Sequence, residues 1–182
     1  MSPRSATALR PLHDAGKLGA VLFQYPPWFG PRRDTRDELK ALPDRLPDYR
    51  ICVEFRSPRW TAEARDRERT LDQLEELGLA YVVVDAPGAS GLQFVPAATT
   101  PDLAVMRFHG RDDDAWHNTS GSAAERFKYL YSDEELEELA GPMAELAEDA
   151  RETHLLMNNC YRDFAVRNAW TLRETLAERT VK

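Results

Sequence analysis

Cysteine is scarce: Cys52 and Cys160 are the two cysteines in 182 residues. They have neither metal-ligand spacing nor the density of a secreted disulfide scaffold, so a reducing compartment is expected. Basic charge is also in deficit, with 24 Lys and Arg against 31 Asp and Glu for a formal net charge of -7. That balance gives no general field for phosphates or anionic lipid, so no nucleic-acid partner is expected, although a local basic pocket is compatible with it. No apolar run approaches the roughly 20 residues needed to cross a bilayer. The stretch from Met1 to Ala15 lacks a signal-peptide core. A soluble, cytoplasmic protein with no membrane partner is the expectation. Also absent is any Gly-x-Gly-x-x-Gly turn, the dinucleotide-binding signature. His13, His117 and His154 form no ligand set with the cysteines. The Asp112 to Asp114 run lacks the later glycine and glutamate of a calcium loop. Neither metal nor cofactor is expected.

What the chain does have is alternation. Short apolar runs at Leu18 to Tyr25, Tyr49 to Phe55, Leu79 to Asp85, Leu103 to His109 and His154 to Asn159 read as buried strands. Helical spacing occupies Arg33 to Leu46, Thr61 to Leu77, Ser132 to Arg151 and Asp163 to Glu178, and a further helix-like stretch, Ala6 to Ala15, closes at Gly16. Thr61 and Ser132 are candidate caps, and Gly78 suits a helix stop. Each strand leaves room for a helix, the fourth only after a loop of about 20 residues. Strand and helix in alternation mean parallel strands joined by crossovers, hence an α/β protein.

The strand ends choose between an open doubly wound sheet and a (β/α) barrel. They carry Gln24, Glu54 with Arg56, Asp85, Arg107 with His109, and Asn158 with Asn159. Polar groups at several strand ends suit a barrel, whose loops build one shared site at the C-terminal face. Side chains two apart share a face. Cys52, Glu54 and Arg56 therefore lie together, as do Val105, Arg107 and His109, while Ile51, Val53, Phe55, Ala104, Met106 and Phe108 pack under helices. Five strands fall short of the eight a closed barrel needs.

Four segments sharpen this: FQYPPWF at Phe23 to Phe29, VEFRSPRW at Val53 to Trp60, RFHGR at Arg107 to Arg111 and NNCYRDFAVRNAWTL at Asn158 to Leu172. In this order they resemble the YecE-like family, domain of unknown function 72, across nearly the whole chain. The resemblance implies a TIM-type barrel with these segments at its fourth, fifth, seventh and eighth strands, and a family without an established activity. The expectation is one YecE-like domain over residues 1–182, N-terminally incomplete: a partial barrel of about five βα units corresponding to strands four to eight.

Candidate chemistry gathers at the strand ends. Glu54 beside Arg56 is expected to be anionic, as a base, acceptor or ligand-contacting group, or else as half of an ion pair that fills the barrel top. Arg107, His109 and Arg111 suit an oxyanion, with Gly110 permitting close approach. Alternatively, Arg107 pairs with Glu54 or Asp85 and His109 is a satisfied core histidine. His109 and Glu54 are the catalytic candidates, His109 because its pKa lies nearest neutrality. Trp28, Trp60, Trp116, Tyr129 and Tyr131 are candidates to stack on a ligand at the rim or to pack ordinary loops. Arg126 with Tyr129 and Tyr131 would be the working part of the long loop. Asn158 and Asn159 are candidates to orient a ligand, with Asn168 supporting them or lying solvated. The resulting expectation is an enzyme-like binder of a small phosphorylated or polyhydroxylated ligand. The alternative is a non-catalytic partial barrel that self-associates or takes a complementary barrel segment; bare edges and uncovered Leu22, Val105 and Leu156 would favour it.

Overall fold

A computed structural model describes residues 3–117 and 127–180. Five parallel strands form one sheet in the order β1-β2-β3-β4-β5: β1 (Val21–Tyr25), β2 (Ile51–Phe55), β3 (Ala80–Asp85), β4 (Leu103–Phe108) and β5 (Glu152–Met157). Seven α-helices lie among the described residues: α1 (Pro3–Asp14), α2 (Arg33–Lys40), α3 (Leu42–Arg45), α4 (Ala64–Glu76), α5 (Asp113–His117), α6 (Asp133–Glu148) and α7 (Phe164–Thr180). Sequential strands that neighbour one another in parallel are the repeating unit of a TIM-type barrel, and the fold is part of such a barrel.

The elements follow the sequence pattern with three informative departures. The helix expected over Arg33 to Leu46 breaks at Ala41, because Pro43 in α3 has no N–H to continue the ladder. Thr61 does not cap α4. Pro58 starts a tight turn through Trp60 that accepts the Thr61 N–H, and the helix begins at Ala64. The third crossover, residues 86–102, carries no α-helix. It holds one 3-10 turn, Gly88–Ser90, and Thr99, whose hydroxyl accepts from the Tyr81 N–H and donates to the Leu79 carbonyl, both at 2.7 Å. The start of α6 is as expected: Ser132 accepts from the Glu135 N–H and the Glu135 carboxylate accepts the Ser132 N–H at 2.9 Å.

Alternation divides the sheet into two faces. Val53, Phe55, Val83, Ala104, Met106 and Phe108 join the larger core with Leu39, Leu74, Leu136, Leu139 and Met143 from the helices. Cys52, Ala80, Val82, Val84, Leu103 and Val105 form a smaller cluster on the opposite, inner face. Val105 is therefore covered, contrary to the expectation that it is bare, because β4 lies inside the sheet, with Val82 of β3 and His154 of β5 on its two sides. Leu22 and Leu156, on the two outermost strands, are 40% and 44% exposed.

Val53 has no exposure and faces the helices. Val53→Asp should abolish cooperative folding, since an unpaired buried charge costs several kcal/mol. Leu74→Ala, at an equally enclosed position, should instead cost about 2–5 kcal/mol. Urea unfolding followed by circular dichroism distinguishes the two.

Candidate functional site

Register sets the site. Gln24 pairs with Glu54 across β1 and β2, and Arg107 lies opposite Leu156 and Val84. With Arg56, His109 and Asn158 one step further on, the polar residues of the inner face form a layer at the C-terminal ends of the strands, above the apolar Cys52–Val82–Val105 layer.

Glu54 is the hub of that layer and is fully enclosed. One carboxylate oxygen meets Arg56 Nε at 2.6 Å and His109 Nε2 at 3.3 Å. The other accepts from Arg107 Nη1. Gln24 Oε1 accepts from Arg107 Nη1 at 3.2 Å and Arg56 Nη2 at 3.3 Å, and Asn158 Oδ1 accepts from Arg107 Nη2 at 3.1 Å. With its oxygen so engaged, Asn158 turns its NH2 to His109 Nδ1 at 2.9 Å. Nδ1 is then the acceptor and Nε2 carries the proton toward Glu54. Arg56 Nη2 lies 3.1 Å from the same Nε2; with the proton on Nε2 both are donors, and this contact is not a hydrogen bond.

Burial alone would raise the Glu54 pKa, but the His109 hydrogen bond and the two guanidinium charges outweigh it and hold the carboxyl down to about 2. Burial lowers the His109 pKa, and the two arginines add to this against the pull of Glu54, so the imidazole is neutral. Two guanidiniums share one carboxylate. The layer therefore carries one uncompensated positive charge.

Above it opens a cavity of about 610 Å³ lined by Gln24, Pro27, Arg56, Pro58, Ser90, Trp116, Phe127 and Asn158. All five strand ends or the loops after them contribute. The polar groups left over are donors. Arg56 Nη1 and the Gln24 amide nitrogen have no partner among the described residues, while the Gln24 and Asn158 oxygens are already engaged.

A second network lies on the other side of the sheet. Asp85 follows Tyr81 and Val83 in the alternation and so turns away from the cavity. Its carboxylate takes two guanidinium nitrogens of Arg111 at 2.9 and 3.1 Å and the Tyr131 hydroxyl at 2.5 Å, while the Gly110 N–H donates to Tyr131 at 2.8 Å. Burial first, then the Asp85 charge, push the Tyr131 phenol far above its usual range. Arg111 also reaches Glu135 at 3.5 Å and Glu138 at 3.6 Å on α6. Tyr129 donates to Glu135 at 2.5 Å. Asn159, fully buried, donates to the Tyr129 carbonyl and to Asn168, which in turn bonds both backbone groups of Tyr131.

Of the sequence candidates, then, Gln24, Glu54, Arg56, Arg107, His109 and Asn158 come together. Asp85, Arg111, Tyr129 and Asn159 belong to the second network and do not line the cavity, because their strand parity or loop ties them to α6 and α7. Trp60 is not at the rim. It is fully buried, stacked 4.3 Å from Phe55, and donates to the Phe29 carbonyl. Tyr131 is likewise buried and Asn168 is not solvated. Arg126 lies outside the described residues. Sequence reasoning missed Pro27, Pro58, Ser90 and Phe127. The two prolines lie in the loops just past the ends of β1 and β2 and were findable on that ground; Phe127 carried no signal beyond its place in the long loop.

The family model described as "Protein of unknown function DUF72" matches residues 3–182. The chain belongs to the DUF72 family. UPF0759 protein YunF of Bacillus subtilis (strain 168) is 30% identical over 157 residues, which are 84% of this chain and 55% of YunF. A DUF72 family crystal structure from Thermotoga maritima MSB8 superposes with TM-score 0.85 at 35% identity, covering 96% of this chain and 64% of that one. Another, from Enterococcus faecalis V583, gives TM-score 0.87 at 26% identity, covering 94% and 63%. The chain thus spans about half the length of YunF and under two thirds of these solved DUF72 chains.

The depressed Glu54 pKa has a definite sign. Its contribution to stability is complete above the ordinary value of 4.5 and is lost as pH falls toward about 2. The stability difference between wild type and Glu54→Gln should therefore shrink across that window, as read by urea unfolding at a series of pH values. Tyr131→Phe, which strips a partner from Asp85 and Gly110, should cost about 1–3 kcal/mol at neutral pH in the same assay.

Proposed function

We propose that this DUF72 protein binds a small anionic ligand at the C-terminal face of its strands. One observation carries the reading: two guanidiniums share a single enclosed carboxylate beneath a cavity at whose floor the side-chain groups without a partner among the described residues, Arg56 Nη1 and the Gln24 amide nitrogen, are donors. Such a floor is complementary to a group that only accepts hydrogen bonds, a phosphate, sulfate or carboxylate. Arg56 faces the ligand. Arg107 adds charge from one bond behind, while Gln24 and Asn158 hold the pair in place.

Proton transfer by His109 or Glu54 would need a ligand to reach one of them. Both side chains are enclosed, and Trp116 and Phe127 stand over the imidazole at ring-centroid distances of 6.5 and 6.0 Å. In this reading they position the guanidiniums, and the geometry favours binding over turnover. The donor-only floor likewise favours the anionic ligand class over a polyhydroxylated one.

Thermal unfolding in the presence of phosphate, sulfate and small carboxylates tests the reading. A ligand at about 100 times its Kd should add about 2.7 kcal/mol, and Arg56→Gln should remove that gain while retaining the circular dichroism of the fold. Absence of stabilisation by every anion at millimolar concentration would overturn it.

A second reading, a non-catalytic module that self-associates or takes a complementary barrel segment, is favoured by the sheet edges. Among the described residues β1 and β5 each have one neighbouring strand, beside the exposed Leu22 and Leu156. Sedimentation at low micromolar concentration should then show a species larger than the monomer. A sharp monomer with cooperative unfolding counts against it.

A further inference from the structure

We infer that the ligand of this cavity joins its anionic group to a flat aromatic ring. This rests on the anion-binding reading and goes beyond it by naming what fills the space above the arginines. Half of the lining residues are apolar and rigid: Pro27 and Pro58 from the loops after β1 and β2, and Trp116 and Phe127 from the segment after β4. The polar lining lies at the floor. On the walls the exception is Ser90, whose oxygen already accepts the Leu92 N–H at 3.1 Å. A polyhydroxylated ligand brings hydroxyls that both donate and accept, and against proline and indole walls they would lose water without replacement. A ring has no such demand. Its faces and edges are satisfied by aromatic and proline surfaces, with offset or edge-on geometry.

Placement of the wall supports the same conclusion. The Arg56 guanidinium carbon lies 5.6 Å from the centroid of the Trp116 ring, so a ring attached to an anion at Arg56 comes to rest beside the indole. Trp116 is held there before any ligand arrives. Asp113, on the same short helix α5, accepts the Ala89 N–H of the loop after β3 at 2.8 Å, and Asp112 accepts the Ala115 N–H at 2.9 Å. A pre-positioned wall saves the ordering entropy that a floppy one would cost. The groove between α2 and α4 makes a useful contrast: it interleaves Arg65 and Arg69 with Glu68, Asp72 and Glu76 and has no such apolar wall.

Calorimetric titration of the purified chain with matched probes tests the inference. Inorganic phosphate, glycerol phosphate and phenyl phosphate share a head group; acetate and benzoate repeat the comparison with a carboxylate. Phenyl phosphate should bind about tenfold tighter than the other two phosphates, or benzoate about tenfold tighter than acetate. The tighter aromatic probe identifies the head group. Trp116→Ala should bring the affinity ratio of aromatic to simple anion close to one, whatever it does to the anion alone, and Trp116→Phe should keep most of that ratio. Phe127→Ala serves as the independent variant should Trp116→Ala lose its circular dichroism. Glycerol phosphate binding as tightly as phenyl phosphate, with benzoate no better than acetate, overturns the inference and leaves the anion reading intact. So does an aromatic advantage that survives in the folded alanine variant. If no anion binds wild type at all, both fall, through the lower one.

Discussion

A carboxylate sealed from water keeps its charge only where cations and donors replace the lost hydration, at a desolvation cost of several kcal/mol per ion. Glu54 meets that condition through Arg56, Arg107 and His109, and nearly every feature of the inner face follows from it. The two guanidiniums must converge on one point from β2 and β4, so their outer nitrogens are fixed in direction. Gln24 and Asn158 fill the remaining angles with their oxygens. Side chains from β1, β2, β4 and the segment after β5 are thereby joined across the concave surface by one hydrogen-bonded layer. The excess of one positive charge at the floor of the cavity is a by-product of this stoichiometry.

The opposite face solves a different problem. Asp85 and Arg111 draw Tyr131, Glu135 and Glu138 together, so that the start of α6 and the chain leading into it are tied to the ends of β3 and β4. Asn159 and Asn168 continue the tie to α7. Here the excess is negative, with three carboxylates around one guanidinium, and the groups are turned from the cavity. The polar floor of the cavity and the anchoring of the chain that walls it are therefore carried by separate sets on the two sides of one sheet.

Much of this was legible in the residues. Apolar runs located all five strands, and their polar ends marked the end of the sheet at which the cavity opens. For β2 and β4 the alternation rule sorted Glu54, Arg56, Arg107 and His109 onto one face. The same rule extended to β3 and β5 separates Asp85 from Val84 and Asn159 from Asn158, and so divides the two networks. What alternation cannot give is depth. Glu54 and His109 look like rim residues by position in their strands, and only the convergence of two arginines from different strands shows that they lie beneath the surface. Trp60 is a similar case: a tight turn begun by Pro58 folds it back under Phe55. Nothing local in the sequence distinguishes that from an outward-facing rim tryptophan.

Gly110 adopts a left-handed backbone, φ 88°, immediately after β4, and a Cβ placed on it would stand 2.6 Å from the Cβ of Tyr129. Every amino acid reachable from a glycine codon by one base change carries a Cβ. Each such change would thus force Tyr129 from its place and disturb both the Tyr129–Glu135 bond and the Gly110 donation to Tyr131. In the mutational landscape of the protein this position is a wall without a foothold: the residues that line the cavity have room to drift, but the hinge from β4 into that lining has no neighbouring sequence to drift into.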